Sequence, residues 1–569
     1  MKLANDRKIA EYRSFGWWGE ETYYDLFVDG AREKGDAPGA VDPPDRPDFM
    51  GDAQRRASWA ELADDTERTA AVLARHGLGA DDIIVMQMPN VIDVLTVYLA
   101  CAKLGIIVSP VPVQYSGYEL RHVLHAVKPK AIVAAGRFRD RKLAEGFKGL
   151  AGQGTPVFAI GEGADASGLV DLRAEMASAS TKKGPLGLFG SATKREAGAD
   201  ECFTIAWTSG TTGMPKGVPR SHNHWLAILP ASYDAMGLRD GEVLLNPFPM
   251  TNMAAISGMF GNWLVTRGVL VLHHPFDLKI FLGQIVEEGA TVTIAPPAVL
   301  TMLLKQDGVL DQFDLSRLRV VGSGSAPLSE FMVAGWKDRG VEIVNLFGSN
   351  EGVSLATGPT EAPDPAQRAS RFPRFGHPGA HFSNRMHGRV KTKLISIETG
   401  KPVSEPGEEG ELLIKGPAVF EGYWGSTDDE RAEVFDDDDF FRTGDLFAVD
   451  PQDEQFLIFK GRAKDIIIRG GVNISAAEID TLLEGHPKLV EAAVFGMPDE
   501  VMGERVWVAV VPKPGEQVSL TDITGYLLEQ DVAKYKLPEQ MIVVDALPRN
   551  PMNKVLRWKL KEMAEAQAA

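Results

Sequence analysis

Residues 208–217, Thr-Ser-Gly-Thr-Thr-Gly-Met-Pro-Lys-Gly, concentrate hydroxyls (Thr208, Ser209, Thr211, Thr212), glycines (Gly210, Gly213, Gly217) and one cation (Lys216) directly after an apolar run at 203–207. The run reads as a short buried strand, and glycine and proline then deny the following residues regular structure. Glycines without Cβ let successive backbone N–H groups turn inward as an anion nest, while hydroxyls add donors and Lys216 adds charge. A polyphosphate is the ligand such a loop suits, although a solvent-exposed Ser/Thr/Gly linker shares the composition. It is not a Walker A loop, because Lys216 is followed by Gly217 and Val218 rather than by Ser or Thr.

Residues 345–352, Asn-Leu-Phe-Gly-Ser-Asn-Glu-Gly, follow an apolar run at 341–344. They place an aromatic, a glycine turn and a carboxylate at a strand's C-terminal end, where open parallel sheets bind ligands. Phe347 can stack on a purine and Glu351 can hold a Mg²⁺ that bridges phosphates; a strand-end turn with a surface glutamate is the alternative. Residues 321–327, Val-Gly-Ser-Gly-Ser-Ala-Pro, suit close backbone approach by a ligand but lack the spacing of a dinucleotide fingerprint. Read alone, Asp445 is a turn aspartate with two acceptor oxygens, and Lys554 is a solvated charge.

The order of residues in 208–217 resembles the signature loop of the adenylate-forming superfamily: acyl-CoA synthetases, peptide-synthetase adenylation domains and luciferases. Residues 347–351 resemble its Tyr-Gly-x-Thr-Glu motif, with Phe347 for Tyr and Asn350 for Thr, and 442–445 match its Arg-Thr-Gly-Asp motif. Residues 548–557 resemble its terminal Pro-x-Thr-x-x-Gly-Lys-x-x-Arg motif, with Asn553 for Gly. The resemblance implies nucleotide contacts from Thr208 to Gly213, from Lys216, from the turn Gly324, Ser325, Ala326 and Pro327, and from Phe347, Gly348, Ser349, Asp445 and Arg462. It makes Lys554 the catalytic lysine, Glu351 the Mg²⁺ ligand and catalytic carboxylate, and Asn350 a contact to the acyl phosphate. Lys464 becomes a hinge, and the Gly470-Gly471 loop the place where CoA enters.

The activity so implied is ATP-dependent activation of a carboxylic acid as acyl-AMP, with transfer to CoA; ATP, Mg²⁺ and CoA are the expected cofactors. Loading of a carrier protein, or an inactive nucleotide-binding homologue, are the alternatives. Residues 246–259, expected to line the acyl pocket through Met250, Asn252, Met253, Ser257 and Gly258, contain no carboxylate to pair with an amino acid's ammonium. Their apolar, Met-rich character suits a hydrophobic fatty, alicyclic or aryl acid, with Met250 where many acyl-CoA synthetases carry histidine.

The elements that must position these residues follow an α/β pattern. Ser58-Trp59-Ala60-Glu61 is a capping box opening an amphipathic helix that stops at Gly77. Strand, helix and strand at 83–88, 91–104 and 106–111 read as a βαβ unit of a parallel sheet, and 253–272 as a buried helix and strand rather than a membrane span. Beyond 464 the pattern resets to strands at 491–495, 506–511 and 541–544, with helices after Ser475 and Thr521. The expected architecture is a large N-terminal adenylation domain, 1–461, of parallel-rich sheets flanked by helices, and a small mobile α+β domain, 462–569. His222, His224, His273 and His274 read as structural, 436–439 as a solvated turn and 182–198 as a surface loop.

An apolar share of 44% and a charged share of 24% are those of a soluble globular protein, and a net charge of −18 argues against nucleic acid and anionic lipid as partners. Cys101 and Cys202 cannot build a disulfide framework, and residues 1–15 carry no apolar signal core, so a cytoplasmic protein without a membrane segment is expected, with a homodimer left open.

Overall fold

Capped helices and apolar runs alternate along the first half of the chain, and the runs collect into two sheets. The computed structural model describes residues 1–152, 154–179, 198–208, 215–306, 308–397, 399–462, 465–469, 472–499, 502–530, 532, 534–549 and 554–568. A seven-stranded sheet has the order Val170–Asp171, Val157–Ile160, Ala131–Ala135, Ile83–Gln87, Ile107–Pro110, Cys202–Trp207, Gly217–Ser221. An eight-stranded sheet has the order Ser354–Thr357, Glu342–Gly348, Val320–Gly324, Val292–Ile294, Val243–Asn246, Val269–Leu272, Pro38–Val41, Arg56–Ser58. Both are parallel in their interiors and end in antiparallel edge pairs, Cys202–Trp207 with Gly217–Ser221 and Glu342–Gly348 with Ser354–Thr357.

The expected βαβ unit is present: Ile83–Gln87 runs parallel to Ile107–Pro110 across the helix Ile92–Leu104, which ends on the left-handed Gly105. The helix Trp59–Arg75 starts at Ser58, whose side chain accepts from the Glu61 N–H while Glu61 reaches back to the Ser58 N–H, and it buries Leu62, Thr66, Thr69, Ala70 and Leu73. Trp59 stacks on Trp263 with ring centroids 4.4 Å apart, in a core that joins both sheets. Residues 253–266 form the expected buried helix, loosened into a π-helical turn at Ile256–Gly261, before the strand Val269–Leu272. No helix among the described residues is long and apolar enough to cross a membrane.

A six-stranded antiparallel sheet, ordered Arg371–Pro373, Phe456–Arg462, Phe441–Val449, Glu409–Lys415, Lys391–Ile395, Pro402–Val403, was not foreshadowed as a unit. A five-stranded sheet follows from Ile466 onward, built on the long hairpin Leu489–Asp499 and Gly503–Pro512, with Gln540–Val543 parallel to the latter. Its helix expected after Thr521 begins two residues earlier, because Ser519 and Asp522 form the capping box. Residues 436–439 are not simply solvated: Asp436 pairs with Lys393, and Asp439 with Lys8 and Arg431. Of the loop expected at 182–198, residues 182–197 lie outside the described residues. Cys101 and Cys202 are free and buried, and burial pushes the Cys202 thiol up to about 12.

Candidate active site

The stretch 208–217 joins two antiparallel strands, Cys202–Trp207 and Gly217–Ser221. The strands pair Trp207 with Gly217. The Thr208 N–H donates to the Lys216 carbonyl at 3.0 Å, and the Lys216 N–H donates back to Thr208 Oγ1 at 3.1 Å. Lys216 is exposed, its ammonium 4.9 Å from the centre of the Tyr423 ring. Gly217 leaves no room for a side chain, since a Cβ would lie 2.9 Å from Ile205 and 3.0 Å from Trp424. Ser209, Gly210, Thr211, Thr212 and Gly213 lie outside the described residues.

The second motif also sits on a hairpin. Asn345, Leu346, Phe347 and Gly348 continue the strand instead of turning, and the turn begins at Ser349, whose N–H donates to the Val353 carbonyl at 3.1 Å. Gly352, at φ +100°, backs so closely on the Ala418 carbonyl that a Cβ would lie 1.8 Å from it. Asn350 ties this turn to the end of the strand Cys202–Trp207. Its Nδ2 donates to the Trp207 carbonyl at 3.3 Å, its Oδ1 accepts the Met253 N–H at 2.9 Å, and its carbonyl accepts Arg220 Nη1 at 2.5 Å.

Glu351 joins this contact to the segment that follows the strand Glu409–Lys415. It is 9% exposed; its Oε1 accepts the Tyr423 hydroxyl at 2.9 Å and its carbonyl accepts the Phe420 N–H at 2.8 Å. Burial and the Glu351 charge both raise the Tyr423 pKa, which keeps the phenol a donor. Trp424 closes the triangle by donating its N–H to the Gly217 carbonyl at 2.8 Å. The Glu351 carboxylate is a hard oxygen donor beside the phosphate-loop hairpin, which fits Mg²⁺. No group of three or more His, Cys, Asp or Glu that could hold a metal occurs among the described residues, which suits a cation that takes one or two carboxylates together with substrate phosphates. His224 makes local contacts instead: its Nδ1 lies 2.9 Å from Ser221 Oγ, and burial lowers its pKa to about 4.

Gly324, Ser325, Ala326, Pro327, Phe347, Gly348, Asp445, Arg462 and Lys554 are brought together around one cleft of about 1310 Å³. Ser325 adopts φ +72°, and Gly324 packs where a Cβ would lie 2.0 Å from the Leu346 carbonyl. Asp445 and Arg462 face each other across paired strands, Arg462 Nε standing 3.1 Å from Asp445 Oδ1. Phe347 joins an aromatic group, meeting Phe447 edge-on at 5.0 Å. Lys554 directly precedes Val555, which bridges to Arg549, and the Leu556 N–H donates to the Pro548 carbonyl at 2.8 Å. Further cations face the cleft from both sides, among them Lys305, Lys460, Lys513, Lys536 and Arg549. Lys464, Gly470, Gly471 and Asn553 lie outside the described residues.

The residues expected to hold the acid do not line this cleft. Met250 is 2% exposed, its carbonyl accepting the Tyr98 hydroxyl at 2.7 Å and its thioether facing Asn246 Nδ2 at 3.3 Å. Asn252 caps the short helix Met253–Ala255, Met253 packs against Gly348, and Ser257 is buried; beside Gly258 there is open space. The apolar wall of the cleft is instead Phe248, Pro296, Pro297, Val299, Met302 and Leu346. Arg220, Tyr423 and this helix wall escaped sequence reasoning. Arg220 alone left a trace, a lone cation inside a strand of otherwise small and apolar residues.

The chain is similar to known proteins over most of its length. The chain is 30% identical over 514 residues to the indoleacetate–CoA ligase of Aromatoleum aromaticum, covering 90% of this chain and 94% of that protein. It is 28% identical over 572 residues to the medium-chain fatty-acid–CoA ligase of Escherichia coli, covering 98% and 93%. ATP-bound MatB from Rhodopseudomonas palustris shares the fold with a TM-score of 0.78 at 27% identity, covering 96% of this chain and 99% of that one. The family model described as AMP-binding enzyme matches residues 37–424, and that of the AMP-binding enzyme C-terminal domain matches 478–554. The chain therefore belongs to the AMP-binding enzymes.

Proposed function

We infer that the protein is an ATP-dependent carboxylate–CoA ligase. A carboxylate oxygen of the acid attacks the α-phosphorus of ATP and pyrophosphate leaves; the thiolate of CoA then attacks the acyl carbon and AMP leaves. The observation that carries this reading is the single cleft in which Asp445, Arg462 and Lys554 face the Gly324–Pro327 turn, one strand end from the Glu351 hairpin. Asp445 accepts the ribose hydroxyls, and Lys554 balances charge developing between carboxylate and α-phosphate. Residues 208–216 hold the leaving phosphates, and the wall of Phe248, Pro296, Pro297, Val299 and Met302 excludes water from the acyl end. Mg²⁺ held at Glu351 supplies neutralisation of phosphate charge when bound. No enzyme nucleophile enters, so positioning and charge carry the chemistry.

The apolar wall and the names of the relatives, indoleacetate– and medium-chain fatty-acid–CoA ligases, support a hydrophobic acid. Residues 1–461 act as the adenylation domain and 462–569 as a domain that turns about Lys464 between the two half-reactions. Two free buried thiols support a reducing compartment, the cytoplasm. Pyrophosphate release on a panel of acids, with and without CoA, tests the reading. Thioester formation with CoA is expected; pyrophosphate release without any CoA thioester assigns a carrier protein as acceptor, and no release with any acid discards the activity.

A further inference from the structure

Arg220 has no exposed surface, yet no carboxylate hydrogen-bonds to it among the described residues. Its donors go to two backbone carbonyls, Nη1 to Asn350 at 2.5 Å and Nη2 to His224 at 2.9 Å, and its guanidinium lies 4.4 Å from the centre of the Trp225 ring. Burying a cation this way is costly, and burial lowers its pKa to about 9 against the opposing pull of Tyr23 and Glu351. Glu351, one of the two groups that oppose this lowering, is the residue following the carbonyl that Arg220 grips. Gripping that carbonyl fixes the peptide from which Glu351 springs, while the Asn350 side chain is held by Trp207 and Met253.

A second line of contacts reaches the same turn. His224, whose carbonyl Arg220 also takes, stands 3.6 Å from Glu421, and Glu421 pairs with Lys8 at 2.8 Å. Glu421 adjoins Phe420, whose N–H donates to the Glu351 carbonyl. Lys8 lies on the helix Asp6–Ser14, ahead of the matched residues 37–424, so this brace draws on a part of the chain that the family match does not include.

We propose that Arg220 is a positioning residue for adenylation, locking the Asn350–Glu351 turn against the phosphate-loop hairpin so that the Glu351 carboxylate is held where it meets Mg²⁺·ATP. The proposal rests on the Mg²⁺·ATP reading of this site and adds to it the residue that fixes the site's geometry. It is tested with Arg220→Met, Arg220→Lys and Tyr423→Phe by three measurements: calorimetric ATP binding with and without Mg²⁺, pyrophosphate release at saturating substrates, and thioester formation from supplied acyl-AMP.

For Arg220→Met, pyrophosphate release is expected to fall at least tenfold and most of the Mg²⁺-dependent gain in ATP affinity to vanish. Mg²⁺-free ATP binding and thioester formation should stay within about threefold of the parent. Arg220→Lys recovers part of the loss, since it keeps the charge but cannot grip two carbonyls with a planar fork. Tyr423→Phe, which frees the carboxylate from the other side, shows the same pattern more weakly. An unchanged Mg²⁺-dependent gain, or equal losses in both half-reactions, overturns the proposal. If Arg220→Met does not fold, Arg220→Lys decides, and parental values for it overturn the proposal. If no acid yields pyrophosphate, the ligase reading fails while calorimetry still decides Arg220. A parent whose ATP affinity ignores Mg²⁺ overturns both.

Discussion

Lys554 and Asp445 reach one cleft from distant parts of the chain, and each makes a separable prediction. Charge develops on the α-phosphate only during adenylation, so Lys554→Ala is expected to slow pyrophosphate release roughly 10²–10³-fold, as removal of a preorganised donor does, while thioester formation from supplied acyl-AMP stays near the parent rate. Stopped assays of the two half-reactions check it; equal losses would show that the lysine acts elsewhere. If Asp445 holds the ribose as proposed, Asp445→Ala removes hydrogen bonds that involve a charged partner, a loss of roughly 1.5–3 kcal/mol. The KM for ATP should rise about tenfold or more. Its partner Arg462 is 29% exposed, so water reaches the guanidinium left behind, and an unchanged KM would reduce the buried aspartate to a strand-pair ion.

At the scale of elements, what was legible was what a local pattern encodes. The capping box at Ser58, the βαβ unit from Ile83 to Pro110 and the hairpin strands after Leu489 are written in contiguous residues, by periodicity and caps. The six-stranded sheet is not: its neighbours Arg371–Pro373 and Phe456–Arg462 are separated by more than eighty residues, and no local pattern reports such pairing. For the same reason Glu351 and Asp445 could be picked out by motif, whereas Arg220 and Tyr423 gain meaning only from the turn they grip. The hinge is an element-level expectation too. One site must admit Lys554 for the first half-reaction and a thiol for the second, so a few backbone torsions must absorb a large change near Lys464. Lys464→Pro fixes φ near −65° and also restricts Ala463, and is expected to slow thioester formation far more than adenylation. Similar factors on both half-reactions, or no effect on either, would end the hinge assignment.

For the whole molecule, the contact of residues 305–329 with residues 480–484 carries a titratable group. Glu484 meets Lys305 and Ser329 from the opposite wall, and burial, with Asp480 beside it, raises its pKa from 4.5 to about 7. A carboxyl that holds its proton more tightly in the folded chain contributes stability that is fully present below about 4.5 and lost as pH rises through about 7. Glu484→Gln should therefore raise the melting temperature relative to the parent at pH 8.5 and change it little at pH 4.5; a pH-independent difference would mean the carboxyl does not titrate across folding. The cations that face the cleft have a consequence for encounter rates. The chain as a whole carries −18, which repels a polyanionic nucleotide from afar, whereas the cleft lining, with eight lysines and arginines against six carboxylates, is locally positive and attracts it at close range. Two fields of opposite sign and different range respond to ionic strength in turn. Modest salt, with a Debye length of about 10 Å at 0.1 M, mutes the distant repulsion first, and more salt then mutes the attraction at the mouth. Capture of nucleotide is thus fastest at an intermediate ionic strength, a property set by where the charges lie and not by how many there are.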